Sequence, residues 1–342
     1  MLLALQAHRR WWLLLALPVA YLLGWENWDR ASLEAYYRGV RGYAAPRLVA
    51  SEFSPYQRVD LLQRDRRAGR EPFLFLNGNL FYGTRSLNQH NLFVSLLPRL
   101  ARGSRSQNTL VVAGGSLDCA RYLAPLAGRL RVVEMDPTVV RLTWKFIQEP
   151  RGGFPGNWEL VLDDGKHFLG AWAGEPFDVI AVDIPVPSHV QTAALHSRRF
   201  FELARSRLRP GGVFSIALAG RLEARSPTEA AAAGRLQNRI LAGLLATFSH
   251  VAVVRSSYGD FALPSAEPLD SLKQAVKPAL REFIARAGDA GNFGQPKVEF
   301  LEESLIRQRA AGFSPIGDAD LQLVLRLSWR KLKGRFRAEA DE

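Results

Sequence analysis

Short apolar runs alternate with longer helical stretches between residues 108 and 218. Most of the runs are followed by a glycine-containing turn or by an acidic residue. Strand-length apolar runs separated by helical stretches predict βαβ units on a mostly parallel sheet, and such sheets bind ligands at the carboxyl ends of their strands. The predicted fold class is therefore α/β, with strands at residues 109–113, 130–133, 160–162, 177–182 and 213–218.

A different pattern precedes this sheet. Residues 59–62 and 73–76 are strand-length apolar runs, and Asn77-Gly78 follows the second run directly. Asn-Gly is preferred in tight β-hairpin turns because both central positions of the turn need a positive φ. The sequence therefore predicts a small β-rich domain before the sheet. Beyond residue 264 the spacing of the apolar residues predicts mostly helix.

The N-terminal segment is strongly apolar. After Arg9 and Arg10, residues 11–25 form an almost wholly apolar run, which is shorter than the roughly 20 residues that cross a bilayer perpendicularly. A membrane anchor, a signal peptide and a helix packed on the folded protein all fit this pattern. Tryptophan at both ends of the run, Trp11 and Trp25, is typical of a membrane interface and favours the anchor.

The charge of the chain favours the same interpretation. The 342 residues carry a formal net charge of +12 without a helix-turn-helix, zinc-finger or RNP pattern, so a phospholipid surface is a better anionic neighbour than nucleic acid. Near the C-terminus, apolar residues recur at helical spacing among basic ones, from Leu325 to Phe336. Such a basic amphipathic helix either lies on an anionic membrane or docks on its own domain.

Other kinds of chemistry find little support in the sequence. The single cysteine, Cys119, excludes an internal disulfide framework and is predicted to be a small core residue. No cluster of His, Cys and Asp has the spacing of metal ligands, and neither a nucleophile elbow nor a P-loop occurs. The candidate functional residues are therefore those at the ends of the predicted strands.

An acidic residue follows the second predicted strand at the edge where a ligand would bind. Glu134 lies about 20 residues after the turn Gly114-Gly115-Ser116, where a carboxylate can accept both hydroxyl hydrogens of a ribose. The glycines would let the backbone approach that ligand. A Gly-Gly-Ser turn departs from the G-x-G-x-x-G pattern and is by itself compatible with a simple tight turn. Glu134 and the rhythm of the strands favour nucleoside binding.

Two further strand ends carry acids. Asp164-Gly165 follows the third strand, where the Asp side chain and nearby amides can bind an adenine edge, or where the Asp can cap the helix that starts near Lys166. Asp183 follows the fourth strand, directly before an Ile-Pro pair, so no helix begins there for it to cap. A strand-end acid without a capping duty favours a functional role for Asp183.

Six motifs occur along the chain in the order Ser54-Pro-Tyr-Gln57, Phe75-Leu-Asn-Gly-Asn-Leu80, Val133-Glu-Met-Asp-Pro137, Asp164-Gly165, Asp183-Ile-Pro-Val-Pro-Ser188, and Phe200-Phe-Glu-Leu-Ala204 with Leu208-Arg-Pro-Gly-Gly212. In this order the six motifs resemble those of the spermidine synthases. The likeness covers roughly residues 45–260. It is closest to the bacterial group in which the synthase domain follows a membrane transporter-like region.

The resemblance implies a small β domain, a methyltransferase-like (Rossmann-like) sheet, and transfer of an aminopropyl group to a small-molecule amine. The co-substrate would be decarboxylated S-adenosylmethionine, with S-adenosylmethionine as the alternative, and no cofactor would be bound permanently. Gln57 would contact this nucleoside–sulfonium ligand, Glu134 its ribose, and Asp164 with Gly165 its adenine. Asp183 would receive the proton of the attacking amine. A homo-oligomer without nucleic acid is also implied.

The domain organisation follows from these observations. Because the co-substrate would be a cytosolic metabolite, we expect a membrane-associated protein whose catalytic domain lies in the cytoplasm. The predicted division has a hydrophobic segment with a linker, a small β-rich domain, a Rossmann-like nucleoside-binding domain, and a helical extension with a basic amphipathic end, at residues 1–45, 46–101, 102–262 and 263–342.

This chain departs from the family at positions that bind cationic amines. Ser116 stands where the family turn has an acid, and Val186 stands where a second acid follows the catalytic one. Phe81 replaces a glutamine, and the family's Tyr-His-Glu run falls on His90-Asn-Leu. Three activities remain compatible with these changes: an aminopropyltransferase with an altered acceptor or reduced activity, an S-adenosylmethionine-dependent methyltransferase-like enzyme, and a catalytically silent nucleoside-binding protein.

Overall fold

The protein divides into two compact units, residues 1–80 and 81–342. The computed structural model describes residues 2–66, 69–83, 88–102, 108–154, 157–184, 190–218, 220, 222, 227–256, 259–287, 296–318 and 320. Each unit has its own hydrophobic core, so each is described by itself.

The first unit is built on a four-stranded sheet with the order β1-β2-β3-β4. The strands are β1 (Arg47–Phe53), β2 (Arg58–Arg66), β3 (Gly69–Leu76) and β4 (Asn79–Gly83). Between β3 and β4, Asn77 and Gly78 have φ values of 48° and 72°, which is the left-handed conformation that a tight hairpin turn requires. The predicted β-rich domain and its hairpin are confirmed.

A long helix, α1 (Leu2–Gly39), packs its last turns against this sheet. Tyr37 is fully buried, with its ring 4.5 Å from the ring of Phe75, and its hydroxyl donates to Asp60 Oδ2 at 2.7 Å. Arg58 donates to Asp60 and also pairs with Asp29 on the helix. Apolar contact and a charged network therefore hold the end of α1 on the strands.

The membrane anchor predicted for the N-terminal segment is wrong. Helix α1 contains the apolar run of residues 11–25, with Pro18 inside it, and then continues through Glu26 and Asp29. Among the helices that the structure describes, none combines the length and the apolarity needed to cross a membrane. The same finding corrects the membrane-associated localisation that was predicted from the apolar run. The basic amphipathic helix expected from Leu325 to Phe336 lies outside the described residues.

The second unit contains an eight-stranded sheet with the order β12-β10-β11-β9-β8-β5-β6-β7. From β7 to β9 neighbouring strands are parallel, whereas β11 and then β10 and β12 add in antiparallel fashion. The strands are β5 (Asn108–Val112), β6 (Arg129–Glu134), β7 (Trp158–Leu162), β8 (Phe177–Val182), β9 (Leu208–Ala217), β10 (His250–Arg255), β11 (Asp260–Ser265) and β12 (Glu299–Phe300). The predicted α/β class, with a mostly parallel sheet after a β-rich region, is confirmed.

Helices cover both faces of this sheet because its central strands are apolar on both sides. In β5, Leu110 and Val112 belong to one apolar cluster and Val111 to the other, and all three are buried. The helices are α2 (Asn88–Asn91), α3 (Leu97–Arg102), α4 (Asp118–Leu123), α5 (Pro137–Thr143), α6 (Gly165–Ala171), α7 (Val190–Ala194), α8 (Arg198–Ser206), α9 (Pro227–Thr247), α10 (Asp270–Ala287) and α11 (Glu303–Ala310).

The fifth predicted strand differs in detail. The Arg-Pro-Gly-Gly segment predicted as a turn before it lies inside β9, where Gly211 has a φ of 69°. The pairing of β8 with β9 shifts register between Phe177 and Val179, which accommodates this segment as an irregularity of the strand. The turn-forming residues therefore lie within β9 and do not end it.

Candidate functional site

The candidate site lies at the carboxyl end of β5, between β6 and β8. The chain proceeds from β5 to β6 and β7 on one side of the sheet, and then to β8 and β9 on the other. A crevice opens in α/β sheets where the strand order reverses in this way, and ligands bind there. The acids predicted from the sequence end strands on both sides of this point.

The glycine turn after β5 is closely packed against its surroundings. A Cβ atom on Gly115 would lie 2.7 Å from Glu134 Oε2, and one on Gly114 would lie 2.8 Å from a methyl group of Val111. On either side of the pair, Ala113 and Leu117 have positive φ values of 60° and 56°. Both glycines are therefore required for the turn to approach the end of β6, which is a stronger constraint than a simple tight turn imposes.

Backbone amides hold the Glu134 carboxylate in place. Its Oε1 atom accepts hydrogen bonds from the N–H groups of Met135 at 2.8 Å and Asp136 at 2.9 Å. Burial raises the pKa of Glu134 to about 7, although these amides and that of Gly115 oppose the rise. Glu134 therefore changes its charge near neutral pH, at a position where an ionised carboxylate can accept the two hydroxyls of a sugar diol.

Asp164 caps helix α6. Its Oδ1 atom accepts from the N–H groups of Lys166 and His167, both at 2.9 Å, and its side chain is exposed. The capping interpretation is thus confirmed, and binding of an adenine edge stays a prediction. Next to it, Gly165 is buried so closely against β5 that a Cβ atom would lie 2.3 Å from a methyl group of Val112. Only glycine fits at this position without movement of the strand or the helix.

Asp183 is buried at the end of β8 with both carboxylate oxygens engaged. Oδ1 lies 2.9 Å from Nε2 of His90, and Oδ2 accepts from the Cys119 thiol at 3.3 Å. The Asp183 N–H donates to the carbonyl of Val112 at 2.9 Å, which fixes the residue against β5. Burial, and then the negative charge of Asp183, raises the pKa of the Cys119 thiol well above its usual value. A buried carboxylate that is oriented in this way can act as a proton acceptor.

Asp118, on the first turn of α4, is the centre of a buried polar cluster that the sequence does not reveal. Its Oδ1 atom accepts from Arg151 at 2.9 Å and from Gln148 at 3.2 Å, and Oδ2 accepts from Asn91 at 3.3 Å. Ser116 is buried beside it, and the Asp118 N–H donates to Ser116 Oγ at 3.4 Å. The only signal in the sequence is an acid two residues after Ser116.

The structure brings most of the predicted site residues to one edge of the sheet. Gly115 lies against Glu134, and the end of β5 contacts both Asp183 and Gly165 through Val112. Gln57 belongs to the first unit, where its N–H donates to Ser54 Oγ in a turn between β1 and β2. Its contact with a ligand stays a prediction. Val186 lies outside the described residues.

Comparison with known proteins identifies the domain that carries this site. Residues 95–223 match the family model of the spermine/spermidine synthase domain. The polyamine aminopropyltransferase of Corynebacterium efficiens is 33% identical over 176 residues, which are 50% of this chain and 32% of that protein. The polyamine aminopropyltransferase of Prochlorococcus marinus is 29% identical over 190 residues, which are 54% of this chain and 64% of the relative. The chain thus spans from a third to just under two thirds of the length of these relatives.

A solved structure supports the same fold. A spermidine synthase in complex with the transition-state analogue AdoDATO superposes with a TM-score of 0.56 at 17% identity, over 77% of this chain and 85% of that one. The likeness to the transporter-fused group stays a prediction. Residues 95–223 of this chain thus match the spermine/spermidine synthase domain in sequence, and the fold around the glycine turn and the strand-end acids agrees with that likeness.

Proposed function

We propose that this protein transfers an aminopropyl group from decarboxylated S-adenosylmethionine to an amine acceptor. The observation that carries the proposal is Asp183, a buried carboxylate held by His90 at the strand end next to the glycine turn and Glu134. The polyamine aminopropyltransferases that match half of the chain support the same reaction. The four-part division of the chain and a homo-oligomeric state remain parts of this proposal, and light scattering of the purified protein tests the latter.

The proposed roles of the binding residues follow from their chemistry. The Glu134 carboxylate accepts the two ribose hydroxyls, and the turn Gly114-Gly115-Ser116 lets the nucleoside approach the backbone. The adenine lies at Asp164 and Gly165, where the second oxygen of the capping carboxylate accepts from the exocyclic amino group. Gln57 contacts the sulfonium end of the same ligand.

The proposed reaction is a substitution at carbon. The acceptor amine loses a proton to Asp183, and its lone pair attacks the propyl carbon that is bonded to sulfur. A carbon–nitrogen bond forms as the carbon–sulfur bond breaks, so the sulfur keeps the bonding electron pair and leaves as neutral methylthioadenosine. Asp183 suits this role because it is oriented by two hydrogen bonds and shielded from water, so that it meets the amine in one geometry.

Release of methylthioadenosine tests the proposal. The full chain is incubated with decarboxylated S-adenosylmethionine and a panel of amines, and products are identified by mass spectrometry. We expect an aminopropylated amine and an equal amount of methylthioadenosine. Asp183→Asn should lower kcat by about 100-fold or more, the usual contribution of a positioned base. Glu202→Gln, which changes an exposed acid on α8, is the matched control and should leave the rate unchanged.

Other outcomes would replace the proposal by a specific alternative. Methylation of an acceptor with S-adenosylmethionine, without aminopropyl transfer, would make the protein a methyltransferase. Binding of methylthioadenosine without turnover of either donor would make it a catalytically silent nucleoside-binding protein. Absence of nucleoside binding would contradict the assigned roles of Glu134, Asp164 and Gly165 together.

A further inference from the structure

The cluster around Asp118 neutralises the acid that follows the glycine turn most closely in the sequence. Arg151 pairs with Asp118 at 2.9 Å, and the same Nη1 atom donates to the Tyr82 hydroxyl at 3.1 Å. Asp118 is completely buried, whereas 32% of the Arg151 side chain remains exposed. The acid is therefore closed to a cationic ligand, whereas part of the Arg151 side chain is accessible to solvent.

The cluster is continuous with the proposed reaction centre. Cys119, the next residue after Asp118, donates to Asp183 Oδ2 at 3.3 Å. Asn91 donates to Asp118 and lies next to His90, which contacts the other oxygen of Asp183. The Asp118 cluster and Asp183 are therefore direct neighbours, linked through Cys119 on one side and through Asn91 and His90 on the other.

Positive charge exceeds negative charge in this cluster. Arg121 lies beside the Asp118–Arg151 pair, and its described hydrogen bonds go to neutral oxygens of Gln148 and to the carbonyl of Arg151. Among the described residues no carboxylate lies within ion-pair distance of Arg121. Burial, and then the charge of Arg151, lowers the pKa of Arg121, as expected where cations are crowded. Two guanidinium groups thus lie near one carboxylate, and only that of Arg151 is paired with it among the described ion pairs.

We infer that Arg151 and Arg121 bind a carboxylate of the substrate, so that one of the two reactants carries an acidic group. The inference rests on the proposed function and specifies the substrate class of the same site. Guanidinium groups bind carboxylates through paired hydrogen bonds, and a second negative charge beside that of Asp118 would balance the two guanidinium groups. A simple diamine would meet net positive charge there. Ser116 is uncharged and provides no negative charge to attract the diamine.

The carboxylate can belong to the donor or to the acceptor, and paired ligands distinguish these sources. S-adenosylmethionine differs from its decarboxylated form by one carboxylate, and ornithine differs from 1,4-diaminobutane in the same way. Calorimetry on the full chain compares the two donors, with methylthioadenosine as a reference ligand. Methylthioadenosine release from the decarboxylated donor compares the KM values of the two acceptors.

We expect the carboxylate-bearing member of one pair to be favoured by about 10-fold or more, the effect of a charge-assisted hydrogen bond. A preference for S-adenosylmethionine assigns the carboxylate to the donor and replaces the decarboxylated donor of the proposed function, whereas a preference between the acceptors assigns it to the acceptor and leaves that donor in place. Equal affinities in both pairs, or a preference for the members without a carboxylate, would overturn the inference. Failure of methylthioadenosine to bind would overturn the proposed function as well, so the two failures are distinguishable.

Variants of Arg151 test whether this residue causes the preference for the ligand that bears a carboxylate. Arg151→Gln should remove most of it, whereas Arg198→Gln, an exposed arginine on α8 with a similar ion pair, should retain it. Because Arg151→Gln leaves Asp118 buried without its cation, a double variant with Asp118→Asn removes both charges and is compared in the same assays. Both Arg151 variants should bind methylthioadenosine within about threefold of the unaltered protein. A preference that survives in the double variant would contradict the assignment.

Discussion

His90 Nε2 lies 2.9 Å from Asp183 Oδ1, and both side chains are mostly buried. The two residues are 93 positions apart in the chain, on helix α2 and at the end of strand β8. Since a carboxylate can only accept while ionised, His90 donates through Nε2 and keeps Asp183 in one orientation. The ring of His90 also packs edge-on against Phe261, with the centroids 5.4 Å apart, which limits its movement.

Replacement of His90 should therefore affect turnover more than binding. We expect His90→Ala to lower kcat for aminopropyl transfer by about 10-fold or more while KM for the donor changes little, because Asp183 loses its orientation. His90→Gln, which keeps a donor of similar reach, should recover part of the loss. Steady-state kinetics at several pH values provide the measurement. Equal loss in both variants, with an unchanged pH profile, would assign His90 a structural role only.

The raised pKa of Glu134 predicts a pH-dependent affinity for nucleosides. Burial places this pKa at about 7, so the carboxylate is ionised above pH 7 and protonated below it. The ionised form accepts both hydroxyls of a diol, and protonation removes one acceptor. Affinity for methylthioadenosine should therefore fall as the pH is lowered from 8 to 6, by up to about tenfold per unit below the pKa. Calorimetry at fixed ionic strength measures this trend.

Glu134→Gln is the control for that trend. The amide cannot ionise, so the variant should bind methylthioadenosine more weakly at pH 8 and with a nearly flat pH dependence. An unaltered slope in the variant would show that another group controls the affinity. The 2′-deoxy form of the ligand should lose affinity in the unaltered protein and much less in the variant, since the contact with the diol is already impaired there.

Two glycines of helix α6 provide a matched pair for stability. A Cβ atom at Gly165 would lie 2.3 Å from Val112 of β5, whereas at Gly170 it would meet nothing within 4 Å. Gly165→Ala should lower the free energy of unfolding by about 1–3 kcal/mol through overpacking. Gly170→Ala should raise it by up to roughly 1 kcal/mol because alanine favours the helix. Urea unfolding measures both, and similar values would contradict the close approach of α6 to β5.

The strands that the sequence predicted correctly are those that form a continuous run of apolar residues. The central strands β5, β6 and β8 are buried on both faces, so their runs stand out against the helices. Strand β11 was missed because it contains Pro264, a residue that usually ends a strand. In the structure Pro264 faces Val251 of β10 within an antiparallel ladder that continues beyond it. Tertiary pairing thus outweighs the local signal.

The same distinction applies to the candidate site: residues marked by a local pattern were predicted, and residues brought in by long-range contacts were not. Glu134 and Asp183 were identified because strand ends are local features, and β-strands of a parallel sheet end on one edge. His90 and Arg151 reach their partners across 93 and 33 residues, and such pairings depend on how the helices pack. Cys119 was predicted as a core residue, and it is buried, but its hydrogen bond to Asp183 follows only from the fold.

His196 should make the stability of the second unit depend on pH. This imidazole is buried after α7, where Nδ1 donates to the carbonyl of Thr192 at 2.7 Å, and burial lowers its pKa to about 4. In the unfolded chain a histidine has a pKa near 6.5, so the unfolded state binds more protons between these values. The stability that the neutral histidine contributes to the folded state is fully present above pH 6.5. It is lost as the pH falls towards 4.

We expect this residue alone to lower the free energy of unfolding by about 2 kcal/mol between pH 7.5 and pH 5. His196→Gln keeps a hydrogen-bond donor and cannot be protonated, so the variant should lose less stability over the same interval, whatever its stability at pH 7.5. His167→Gln is a comparison of opposite sign: Asp163 raises the pKa of this exposed histidine on α6, so the variant should lose more stability than the unaltered protein over the interval. Urea unfolding of the three proteins at both pH values measures the difference. If the His196 variant and the unaltered protein lose the same amount, the imidazole is accessible to protons in the folded state.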